Sequence, residues 1–144
     1  MTISKMLLAV MLGVFLVAQQ TVPSFADPAK EEQAVAAAQA WLALVDQGKY
    51  EESWKEAASF FKKSITSSGW SSMVRSVRKQ LGKCNSRTVK SKQYTTQVPG
   101  GPAGEYVIVE FSASFANKPT AVERVTPMLD KDGKWRVSGY FIVQ

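Results

Sequence analysis

Residues able to do chemistry are sparse in this chain, and their types constrain mechanism before any fold is considered. The 144 residues include no histidine and a single cysteine, Cys84. Ser-His-Asp and Cys-His triads, histidine general bases and histidine-rich zinc sites need an imidazole that titrates near neutrality or lends a lone pair to a metal. None of these can be built here. A catalyst would have to use carboxylates, tyrosines, lysines or a perturbed Cys84. Asp46, Glu51, Glu52 and Glu56 stand at the spacings of an ordinary solvated helix surface. A tyrosine-carboxylate pair drawn from Tyr50, Tyr94, Tyr106 or Tyr140 with Glu105 or Glu110 is the other option, set against the usual packing role of tyrosines near a sheet. Asp130 and Asp132 beside Gly133 lack the further oxygens and distal glutamate of a calcium loop, and read as a hairpin turn. The expectation is a chain with no catalytic residues, no metal site and no cofactor.

Charge points instead to binding. Residues 57–104 contain no acid but nine cations: Lys62, Lys63, Arg75, Arg78, Lys79, Lys83, Arg87, Lys90 and Lys92. Such an asymmetry favours anionic partners. Arg75, Arg78, Lys79 and Lys83 are the candidate contacts, with a lipid head group, an acidic glycan or an acidic protein as the partner class. A solvated basic face with no dedicated ligand is the plain alternative.

The compartment comes from the first residues. Lys5, an apolar stretch over 6–18 and Ser24-Phe25-Ala26 before Asp27 have the layout of a cleavable secretory signal over 1–26. The apolar stretch is shorter than the roughly 20 residues of a membrane span, so no transmembrane anchor is expected after cleavage. An exported protein, periplasmic or extracellular, has no call for a nucleic-acid partner. Its lone Cys84 cannot make an internal disulfide, so stability must come from packing. Residues 27–144 suit one domain.

The elements that would position these residues follow from periodicity. Asp27 and Pro28 form a cap and first-turn pair for a helix running to Gly48, with Val35, Ala38, Leu42 and Val45 on one face. Tyr50, Trp54, Ala57, Ala58 and Phe61 recur at helical spacing over 50–63. A third helix over 68–81 would bury Trp70, Met73, Val74, Val77 and Leu81 and turn Arg75, Arg78 and Lys79 outward. Period-two segments then predict four antiparallel strands over 86–98, 105–117, 120–129 and 134–143. In the second, Val107, Val109, Phe111, Ala113 and Phe115 share a face; in the last, Trp135, Val137, Phe141 and Val143 are expected to point inward. Helices followed by strands make an α+β domain, with the N-terminal helices packed on one face of a curved four-stranded antiparallel sheet.

The segments AWLALVDQGKYEESW at 40–54, Trp70 followed by RKQLG at 78–82, Pro99-Gly100, GEYVIV at 104–109 and DGKWRVSGY at 132–140 resemble domain-of-unknown-function family 4019. That family consists of small exported bacterial proteins without an assigned activity, so the resemblance implies location and domain extent. The element order is also similar to the NTF2-like and cystatin-like cone folds. Those folds often enclose a pocket between helices and sheet, which here would be lined by Trp41, Trp54, Tyr106 or Phe111 and would hold a small hydrophobic molecule. A carboxylate-tyrosine hydrolase or isomerase is the third reading.

Overall fold

The structure is a computed structural model that describes residues 27–143; the secretory-signal reading of residues 1–26 lies outside the described residues. Helix α1 (Pro28–Asp46) starts as expected, with the Lys30 backbone N–H donating to the Asp27 carboxylate at 3.2 Å and Pro28 in the first turn. Its buried stripe of Ala34, Val35, Ala38, Trp41, Leu42 and Val45 lies against all four strands of the sheet.

The expected second helix is instead two short ones, α2 (Tyr50–Lys55) and α3 (Ser59–Ser64). Between them Ala57 and Ala58 are fully buried, and the extended Ala58 donates its N–H to the carbonyl of Val137 at 2.8 Å. Ser59 then donates its backbone N–H and its hydroxyl to Asp130, each at 3.0 Å, so a turn distant in sequence caps α3. Alanines favour helix locally, and tertiary hydrogen bonds override that preference.

Helix α4 (Ser67–Leu81) is capped by Thr66, whose hydroxyl accepts the Gly69 N–H at 3.1 Å. Two corrections concern its faces. Arg78, expected outward, is only 8% exposed, because it stands four residues after buried Val74 on the same side. Met73, expected inward, is 50% exposed.

The strands β1 (Cys84–Thr95), β2 (Tyr106–Phe115), β3 (Lys118–Leu129) and β4 (Trp135–Val143) form an antiparallel sheet in the order β1-β2-β3-β4. The α+β architecture therefore stands. Val107, Val109, Phe111, Ala113 and Phe115 of β2 are all buried, as their alternation requires. The turn between β2 and β3 closes α4: Asn117 donates its N–H to the Leu81 carbonyl at 2.9 Å and its side-chain amide to that of Gln80 at 3.1 Å.

In β4 the alternation breaks. Thr126 pairs with Gly139 but Pro127 pairs with Val137, leaving Ser138 as an extra residue. Pro127 has no N–H to give the ladder, and a bulge is where an interior strand tolerates it. The Ser138 hydroxyl donates to the Thr126 carbonyl at 2.7 Å. Beyond the bulge Tyr140 turns into the core, and Phe141, expected inward, is 62% exposed. Tyr140 joins Trp41, Phe61 and Trp70 in an aromatic cluster whose ring centroids lie 5.0–6.3 Å apart.

Candidate functional site

Asp46 is the last residue of α1, where a carboxylate faces the negative end of the helix dipole. Two arginines offset that local cost. Arg78 donates to Asp46 Oδ1 at 2.6 Å, and Arg87 of β1 donates to Oδ2 and Oδ1 at 2.7 and 3.0 Å. Arg87 also donates through Nε to Glu123 Oε1 at 2.6 Å, and Tyr140 donates its hydroxyl to Glu123 Oε2 at 2.6 Å. Glu123 is fully buried. It occupies the inward phase of β3 between Ala121 and Val125, and the register sets Ala113 between Arg87 and Ala121. That small side chain leaves room for the arginine to reach across β2.

The network balances two cations against two anions. Burial alone would raise the Asp46 carboxyl, but hydrogen bonds from Arg87 and Arg78 hold it below its ordinary range. Burial, then the charge of Glu123 and the hydrogen bond to it, push the Tyr140 phenol well above the usual tyrosine value. All four carboxylate oxygens are occupied and the phenol is committed as a donor, so this cluster offers no free base. Burial also raises the Cys84 thiol, the opposite of what an activated nucleophile requires. Among the described residues, no group of three or more histidines, cysteines or carboxylates could hold a metal ion.

Beside the network, α4 and the end of α1 enclose a hollow of about 460 Å³. It brings the four nominated cations together, with unequal roles. Arg78 belongs to the floor, paired with Asp46 and 5.1 Å from the Phe115 ring centre; its Nη1 has no acceptor among the described residues. Arg75, Lys79 and Lys83 are exposed and form no ion pair among the described residues. Arg75 lies over the Tyr50 ring at 5.6 Å and also borders a neighbouring hollow lined by Glu51, Glu52 and Glu56.

Residues 37–140 match the family described as "Protein of unknown function (DUF4019)". The chain belongs to that family. The DUF4019 segment begins inside α1 and ends on Tyr140, so it contains all five members of the network around Glu123 and the whole cationic hollow. No curated protein and no solved structure matches the chain.

The basic run of the DUF4019 segment is partly neutralised in space. Arg78 and Arg87 are spent on Asp46 and Glu123, and Lys92 pairs with Glu32, all three acids coming from outside residues 57–104. The aromatic residues nominated for a pocket are not brought together around one. Trp41 and Phe111 belong to the main core, with Trp54 packed at its side, while Tyr106 sits in a separate cluster with Ala58 and Met128. Of the tyrosine-carboxylate options, Tyr94 does donate to Glu105 at 2.8 Å, on the surface beside Lys30, while Glu110 takes Arg124 at 2.7 Å. The sequence reading took Asp46 as ordinary helix surface and Arg87 as one cation of the basic run, and it passed over Glu123. The available signals were an acid ending a helix and a glutamate in phase with Ala121 and Val125.

Proposed function

We propose that this protein is exported and acts as a non-enzymatic binding module, taking an anionic envelope partner at Arg75, Lys79 and Lys83. The observation that carries the reading is the hollow itself: three exposed cations without carboxylate partners among the described residues, gathered beside a charge-balanced floor. Oxygen-rich anions are the complementary chemistry, whether presented by a lipid head group, a glycan or an acidic protein. The saturated hydrogen bonding of Asp46, Glu123 and Tyr140 favours binding over catalysis. The signal-like layout of residues 1–26 supports export.

Retention on immobilised heparin and on phosphatidylglycerol vesicles tests the reading. Binding should fall steeply with salt, since exposed charges are screened beyond about 8–10 Å near physiological ionic strength. The triple reversal Arg75→Glu, Lys79→Glu, Lys83→Glu should abolish it while Arg78 is left in place. Unchanged retention of that variant would discard the proposal. N-terminal sequencing of the protein recovered outside the cytoplasm should begin at Asp27.

A further inference from the structure

On the flank of α4 opposite the cationic hollow, an apolar groove of about 580 Å³ runs between the helix and edge strand β4. None of the four aromatics nominated for a pocket, Trp41, Trp54, Tyr106 and Phe111, lines it. Trp70 and Tyr140 form part of its floor, and Met73 and Phe141 stand on its walls, 50% and 62% exposed. Large apolar side chains left in water around a concavity mark a place for something to cover them. The groove is also polarised along its length. Gln80 and Lys118 line the end where the β2–β3 turn closes α4, while Trp70 and Met73 lie toward the other. From Trp70 to Leu81 the helix rises about 16 Å at 1.5 Å per residue. The volume falls within the roughly 300–1,000 Å³ of small-molecule sites. Among the described residues, Lys118 is the one charged residue lining the groove, and no carboxylate does.

We propose that this groove binds a single-chain anionic amphiphile, an alkyl carboxylate or phosphate whose head lies on Lys118 and whose chain runs toward Trp70. Charge complementarity selects the head, and the exposed apolar walls select the chain. The phenol of Tyr140 is committed to Glu123, so its ring serves as apolar floor and not as a competing polar contact. The site is separate from the cationic hollow, so reversal of Arg75, Lys79 and Lys83 leaves it intact.

The test is titration of the purified mature domain with dodecanoate below its micellar concentration, followed by calorimetry, with dodecyltrimethylammonium as the matched cation. Dodecanoate should bind one to one and at least about tenfold more tightly than the cation. Lys118→Glu should reverse that preference, and Met73→Glu should weaken dodecanoate by about tenfold, because it sets a carboxylate against the bound alkyl chain. Both positions reach solvent, so melting temperatures near that of the parent are expected. Equal affinity for the two head groups, or dodecanoate binding untouched by both variants, overturns the proposal. So does a dimer in sedimentation that Phe141→Ser dissolves, because the groove would then be covered by a second copy.

Discussion

Two tyrosine-glutamate-cation triads stand at opposite ends of α1. At its start, Lys30 pairs with Glu105 and Tyr94 donates to the same carboxylate; at its finish, Arg87 and Tyr140 hold Glu123. The chemical groups correspond closely, but the surroundings do not. The first triad lies half-exposed at the surface, where Coulomb attraction is screened and holding long side chains costs entropy. The second is buried beneath α1 and α4, where an unmet charge is very costly. The comparison teaches that the value of an ion pair here is set by what its loss would strand and not by its hydrogen-bond geometry.

The largest break in that comparison should come from Arg87→Met. It leaves Glu123 buried without its countercharge, and we expect a loss of about 3–5 kcal/mol in chemical denaturation. Combining it with Glu123→Leu should recover much of that loss, because an apolar pair strands nothing; a double variant no better than the single one would show that shape and not charge dominates. Tyr140→Phe removes one hydrogen bond to a buried carboxylate and should cost about 1.5–3 kcal/mol.

A pH titration sharpens the contrast further. Asp46 has a depressed carboxyl in the folded state, so its stabilising contribution is complete above its unfolded value near 3.8 and is lost as pH falls below that toward the folded value. Tyr140 has a raised phenol, so its contribution is complete below the unfolded value near 10 and is lost as pH rises above it. The alkaline loss should shrink in Tyr140→Phe and persist in Tyr94→Phe. The smallest effect belongs to Glu105→Gln, which should leave the denaturation midpoint of the parent unchanged in moderate salt.

Much of the fold was legible because its signals are local. The Asp27-Pro28 start of α1, the stripe through α4 and the alternation of β2 each rest on a few adjacent residues. What escaped depended on contacts distant in the chain. Ala57 and Ala58 read as helix, and the distant carbonyl of Val137 and carboxylate of Asp130 explain why the helix stops. Arg78 reads as surface until Asp46 is seen to face it. The cationic hollow was foreseeable as a cluster on α4, but the division between floor and rim was not. The position of Glu123 was visible as a charge on an inward-facing strand position; its partners were not, because α1, α4 and β1 must all converge before the network exists.

The extra residue in β4 makes insertions and deletions a different class of change from substitutions here. Inside and outside beyond position 138 are assigned by counting, so parity, rather than the character of each side chain, decides that Tyr140 enters and Phe141 leaves. Loss of Ser138 alone would remove the extra residue and close the ladder with Gly139 still opposite Thr126 and Tyr140 still opposite Val125, so the phenol would keep its place on Glu123 without the bulge. Alignments that place a gap at 138 or at 139 therefore describe the same core, whereas a gap placed after Tyr140 would turn Ile142 outward.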